Sequence, residues 1–201
     1  VYQYWKLSPE EREEILRQRR ERGYPLHAPP HPFRCAGYYF ITAVNYQHKH
    51  LMATSTRRTD FESRLLAAVY AVSTDISAWV ILPNHYHFLV GVETLDAVSS
   101  ALKHLHGTTS HEWNLEDNST GARRVWYKFT DRLIRNEKHF YGVLNYIHYN
   151  PVKHGYVRDT YDWLWSSLNN YREAHGQQWL REKWTTYPIG DLKIEDDLDV
   201  K

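Results

Sequence analysis

Two histidines separated by one residue, His85-Tyr86-His87, are the first place in this sequence where spacing suggests chemistry. In an extended strand alternate side chains share a face, with Cα atoms roughly 6–7 Å apart. Two imidazoles so placed can close on one metal ion while Tyr86 points to the opposite face. The pair follows directly on Pro83-Asn84, a turn at a sheet edge, where functional groups concentrate. The second constellation is Asn145-Tyr146-Ile147-His148-Tyr149-Asn150-Pro151-Val152-Lys153-His154-Gly155. At about 100° per residue, Phe140, Leu144 and Ile147 form one helical face suited to packing on a sheet. His139, Gly142, Tyr146 and Asn150 fall on another face, expected near the boundary with solvent. Tyr146 and Asn150, four apart, are neighbours on a helix, and Gly142 leaves room beside the tyrosine ring. A tyrosine hydroxyl can serve as a nucleophile, and imidazole and amide groups as metal ligands. Taken singly, each group also fits a plainer role: surface or core histidines, and a packed tyrosine with a wet hydroxyl.

The elements that must hold these groups can be read from periodicity. Ser8-Pro9-Glu10-Glu11 opens a helix, with Ser8 as cap, Pro9 at the first helical position and Glu11 completing a capping box. That helix runs to Gly23 and is highly charged, so it reads as a docked arm. The stretch 25–32 is too rich in proline for helix or internal strand and reads as an extended connector. Strands are expected over 36–45, 76–82, 85–92 and, with weaker alternation, 125–134. Helices are expected over 60–73, 95–112 and 138–150, the last stopped by Pro151. The resulting order, β-α-β-β-α-β-α with a tight central hairpin, predicts an α+β fold: a ferredoxin-like antiparallel sheet with helices packed on one face and an N-terminal helical arm. Three parts are expected: residues 1–34 as arm and connector, 35–170 as the core, and 171–201 as a C-terminal extension.

Composition narrows the function classes. Hydrophobic residues make up 42% and charged residues 24% of 201, a globular balance. No apolar run approaches the roughly 18 residues of a membrane helix, so no membrane partner is expected. The single cysteine, Cys35, rules out an intramolecular disulfide and fits a reducing, cytoplasmic setting. The net charge of +1 averages unlike segments. Residues 121–160 hold Arg123, Arg124, Lys128, Arg132, Arg135, Lys138, Lys153 and Arg158 against Asp131, Glu137 and Asp159, whereas 191–199 is acidic. One polyanion-binding face would suit such asymmetry. With 16 Tyr, 8 Trp, 6 Phe and 13 His, the chain has the means to stack bases while neutralising phosphates, as single-strand binders do.

Together the two constellations resemble the single-tyrosine subgroup of the HUH nucleases, and within it the transposases associated with repetitive extragenic palindromes. The strings that carry the resemblance are Ala78-Trp79-Val80-Ile81-Leu82-Pro83-Asn84-His85-Tyr86-His87, Ile134-Arg135-Asn136 and Tyr146-Ile147-His148-Tyr149-Asn150-Pro151-Val152-Lys153-His154-Gly155-Tyr156-Val157. The segment Asp162-Trp163-Leu164-Trp165-Ser166-Ser167 is similar to the family's aromatic-serine segment, and the likeness spans 36–170. The departure is Tyr86, where the family usually has an aliphatic residue or Met. The resemblance implies a metal-dependent single-stranded DNA endonuclease and strand transferase that acts on hairpin DNA through a 5′-phosphotyrosine. It implies Tyr146 as nucleophile and His85, His87 and Asn150 as ligands to Mg²⁺ or Mn²⁺. Lys153 and His154 would contact adjacent phosphates, with Arg123, Arg124, Lys128 and Arg135 as further DNA contacts. The connector histidines His27 and His31 are further candidates for the same role. The protein would work as a monomer or homodimer. Two other readings stand beside it: a non-catalytic single-stranded nucleic-acid-binding module with exposed aromatics on its sheet, and a zinc hydrolase, which would need a further His or carboxylate ligand.

Overall fold

A computed structural model describes residues 8–22, 36–119 and 123–191. Helix α1 (Pro9–Arg22) starts at a reciprocal capping box. The Glu11 amide donates to Ser8 Oγ (3.2 Å), and the Ser8 amide donates to a Glu11 carboxylate oxygen (2.8 Å). The proline-rich connector, with His27 and His31, and the acidic tail beyond Asp191 lie outside the described residues.

The core follows as β1 (Gly37–Val44), α2 (Ser55–Tyr70), β2 (Asp75–Ile81), β3 (His85–Val92), α3 (Leu95–Glu116), β4 (Thr130–Leu133), α4 (Glu137–Lys153) and α5 (Leu168–Thr186). The strands form one antiparallel sheet in the order β2-β3-β1-β4, the ferredoxin-like arrangement that the element order predicts. Helix α2 begins earlier than apolar periodicity suggests. Thr54 caps it by accepting from the Arg57 amide, and its polar first turn carries Arg58, whose guanidinium donates to the Met52 and Ala53 carbonyls. Strand β4 is shorter than expected. The segment before it runs past the end of β1, held by the bridge of Asn45 to Trp126 and by Tyr127 donating to the Val44 carbonyl (3.0 Å).

Helices cover both faces of the sheet, not one. Tyr86, Phe88, Val90 and Val92 of β3 pack with Tyr39, Ile41 and Ala43 against Phe61 and Leu65 of α2 and Val98, Leu102 and Trp113 of α3. Residues of the opposite parity, Phe40, Ala78, Val80 and Leu89, pack against Val143, Leu144, Tyr146 and Ile147 of α4. Every residue of β3 is consequently buried. Strands sandwiched in this way read as continuous apolar runs rather than alternating ones.

Pro151 does not stop α4, which continues to Lys153. A proline in the last turn removes only one backbone donor. Termination comes at Gly155, in the left-handed region at φ 71°, where Gly155 donates to Val152 and Tyr156 to Pro151. Behind α4 lies α5, an element that the sequence pattern does not reveal. Asn145 donates to the Lys183 and Tyr187 carbonyls (3.0 and 2.8 Å), so the boundary placed at 170 falls inside a helix docked on the core. The aromatic-serine segment covers the outer edge of β2: Ile81 donates to the Trp165 carbonyl, Ser167 to that of Trp79, and the Trp163 indole to that of Ile81.

His148, on α4, has Nε2 hydrogen-bonded to Ser167 Oγ at 2.9 Å, and burial pushes its pKa down to about 3. An unfolded chain takes up this proton near pH 6.5. The folded chain does so only near pH 3, so stability is lost as the pH falls through that window. The slope from this group is about 1.4 kcal/mol per pH unit. His148→Gln should flatten the acid side of the urea-unfolding stability curve; an unaltered slope would refute the assignment.

Candidate functional site

His85 opens β3 immediately after the Pro83-Asn84 turn, where the Leu82 amide donates to the His85 carbonyl (2.8 Å). Strand parity places His85 and His87 on the α4 side, their ring centroids 5.0 Å apart, and Tyr86 on the α2–α3 side. There the Tyr86 hydroxyl meets His106 Nε2 at 2.8 Å, on the face of the sheet opposite to the two histidines, and burial raises its pKa well above the ordinary value. The register sets Thr42 beside His87, with Thr42 Oγ1 2.8 Å from Nδ1.

Helix α4 brings up the other half. Asn150 Oδ1 lies 3.1 Å from His85 Nε2, and the Tyr146 ring stands 5.5 Å from that of His87 and 5.9 Å from that of Phe40. The face that periodicity places near solvent is turned onto the sheet instead, leaving Tyr146 2% exposed and Asn150 fully covered. Tyr149 is 42% exposed. Tyr146, His85, His87 and Asn150 therefore come together within one chain.

Burial favours the neutral form of both imidazoles. Burial, with help from nearby His154 and Lys153, pushes His85 down to about 3, and burial together with the same neighbours and His85 holds His87 well below its ordinary value. A neutral imidazole carries one N–H and one lone pair. Asn84 fixes which is which at His85: its Nδ2 donates to the His48 carbonyl (3.2 Å), leaving Oδ1 to accept from His85 Nδ1 at 2.7 Å. The His48 carbonyl is delivered by a turn in which Gln47 and His48 both have positive φ, 56° and 54°, a strained geometry found mostly at functional positions. The His85 Nε2 lone pair then faces Asn150 Oδ1, itself an acceptor. Likewise His87 Nδ1–H can donate to Thr42, leaving Nε2 as a buried atom with no hydrogen-bond partner.

Acceptors that converge in this way fit a cation. The 3.1 Å between His85 Nε2 and Asn150 Oδ1 is close to the ~3 Å edge of an octahedron with ~2.1 Å bonds. Two imidazoles and an amide oxygen make a mixed nitrogen and oxygen donor set of the kind that Mn²⁺ accepts, and not the closed Cys/His set of a structural zinc. Among the described residues no group of three His, Cys, Asp or Glu could hold a metal.

The charged candidates divide. Lys153 and His154 stand at the site: Lys153 Nζ is 5.3 Å from the Tyr146 ring centroid and the His154 ring 5.0 Å from that of His85. Arg124 and Lys128 are exposed, on the segment that passes the end of β1. Arg135 is exposed before α4, its amide donating to His139. Arg123 is engaged elsewhere, its guanidinium bonded to Asn114 Oδ1, the Trp113 carbonyl and Asp117, so it braces the end of α3 rather than facing a ligand. Sequence reasoning missed Asn84 and Thr42, which orient the two histidines; the position of Asn84 in the turn before His85 was the available signal.

No family model matches the chain. It is 28% identical over 135 residues to a REP-associated tyrosine transposase of Escherichia coli K12, a match that spans 66% of this chain and 77% of that protein. It is 30% identical over 175 residues, 83% of this chain and 96% of the other, to a Haemophilus influenzae protein assigned to the same group. A solved REP-associated tyrosine transposase bound to a REP hairpin shares the fold, with a TM-score of 0.57, 24% identity, and coverage of 74% of this chain and 87% of that one.

Proposed function

Because this chain belongs to the REP-associated tyrosine transposases, we propose that it cuts and rejoins single-stranded DNA at hairpins of the repeat-palindrome type, with Tyr146 as nucleophile. The observation that carries the reading is the convergence, within one chain, of Tyr146 with the unpartnered His87 Nε2 and the facing His85 and Asn150 acceptors. The phenolic oxygen of Tyr146 attacks the scissile phosphorus as the bond to the 3′ oxygen breaks. The phenol loses its proton, and the leaving oxygen gains one to become a free 3′-OH. A phosphotyrosine keeps the bond energy of the original diester, so a 3′-OH attacking in reverse rejoins DNA without a nucleotide cofactor. His85, His87 and Asn150 would hold Mg²⁺ or Mn²⁺, which when bound polarises the phosphate and offsets its developing charge. Lys153, exposed beside the Tyr146 ring, and His154 draw the phosphate to the nucleophile.

No helix among the described residues is long and apolar enough to cross a membrane. A non-catalytic module that binds bases on an open sheet fits less well, because helices cover both faces of this one. The test is to incubate hairpin DNA labelled at its 3′ end with the protein and either Mn²⁺ or EDTA, then run a denaturing protein gel. Label transferred to the protein only with metal supports the reading; DNA bound without any transfer across a panel of hairpins refutes it.

Asn84→Ala should weaken Mn²⁺ binding about 10- to 100-fold, as the loss of a group that orients a ligand histidine does. Calorimetric titration measures this directly. An unchanged Mn²⁺ affinity would show that Asn84 serves the turn alone.

A further inference from the structure

Beside the site, at the same end of the sheet, is an aromatic surface that the reading above leaves unused. Tyr46 and Tyr127 lie with ring centroids 4.9 Å apart and are only partly buried. The Arg124 guanidinium covers both, 4.9 Å from the Tyr46 centroid and 5.3 Å from that of Tyr127, and its Nε donates to the Trp126 carbonyl. The His48 ring stands 6.3 Å from that of Tyr127. Strand parity explains why these rings are outside: Trp126 turns into the core, so Tyr127 turns out, and β1 ends just before Tyr46.

Three features point to a ligand. Residues 45–50 and 124–129 contribute Lys49, Arg124 and Lys128, with His48 and His50, and contain no Asp or Glu. Aromatic rings under a guanidinium in such a setting are how proteins hold an unpaired base next to its phosphate. The surface is also wired to the site. The Asn45 amide donates to the Asn84 carbonyl (2.7 Å), and the His48 carbonyl accepts from Asn84, the residue that orients His85. Only the strained turn at Gln47–His48 separates Tyr46 from that contact.

We infer that Tyr46, Tyr127, Arg124 and His48 form a stacking platform for an unpaired nucleotide of the single-stranded DNA flanking the hairpin. The inference rests on the proposed function and adds to it where the strand leaves the site. The rings hold the base and Arg124 the neighbouring phosphate. Gripping the strand one step from Asn84 would fix how far the scissile phosphate sits from the histidines.

The test compares the affinity of a DNA hairpin carrying a single-stranded flank with that of the same hairpin cut blunt, by fluorescence anisotropy in EDTA. Tyr127→Leu and Arg124→Gln should each weaken the flanked hairpin about tenfold. The loss should vanish on the blunt hairpin, and Tyr127→Phe, which keeps the ring, should bind the flanked hairpin as wild type does. Thermal melting of each variant checks folding, and Arg124→Gln, an exposed position, guards against a Tyr127→Leu that fails to fold. Equal losses on both hairpins, or none on the flanked one, would overturn the platform. A wild-type protein that neither binds the flanked hairpin nor takes up label from it would instead overturn the function on which the platform rests.

Discussion

Tyr146→Phe is expected to abolish covalent attachment to DNA, lowering adduct formation about ten-thousandfold or more, because no other group takes over a lost nucleophile. The substitution removes one oxygen and keeps the ring that packs on Phe40 and His87 beneath Lys153. Stability should therefore change by no more than about 1 kcal/mol, and hairpin binding should persist. A purely structural tyrosine would give the opposite pattern, a lower Tm with adduct formation intact. Tyr149→Phe is the matched control, since Tyr149 lies on the same helix but is exposed. If Tyr149→Phe and not Tyr146→Phe removed the adduct, the nucleophile would have to be reassigned and α4 would have to present its other face.

His87→Ala comes next in size. His87 carries the buried, unpartnered Nε2; it also stacks on Phe40, meets the Tyr146 and His85 rings edge-on and bonds to Thr42. Losing it should cost about a thousandfold in adduct formation, in keeping with the several kcal/mol that a Lewis acid contributes to charge stabilisation. EDTA on the wild-type protein should cost a similar amount. The decisive feature is that the two losses should not add, because they remove the same interaction. An EDTA effect that persists in full on His87→Ala protein would place the metal elsewhere. Thr42→Val, which keeps the packing and removes the hydroxyl, should fall between wild type and His87→Ala.

Much of this was legible in the sequence because the chemistry follows strand parity. His85 and His87 had to share a face and Tyr86 had to oppose them, and the register carries that through unchanged. What the sequence hid has physical reasons. A strand such as Ile76-Ser77-Ala78-Trp79-Val80-Ile81 is apolar at nearly every position, the mark of a sheet covered on two sides, whereas helices were expected on one face only. Proline normally marks the end of a helix, yet at Pro151 in the last turn the cost is one bond, and the left-handed Gly155 is the true stop. Helix α5 has a scattered apolar pattern and a break at Gly176, so periodicity could not find it. Arg123 was grouped with its basic neighbours by charge, whereas geometry ties it to Asn114 and Asp117.

The double-sided burial of β3 also limits how this chain can change in length. A single residue inserted between Asn84 and Phe88 would swap parity, sending the imidazoles in among Phe61 and Trp113 and bringing Tyr86 out towards Asn150. No partial compensation exists, because each face is already full. Among descendants of this sequence, gains and losses of residues should therefore be absent from the strand that carries the histidines.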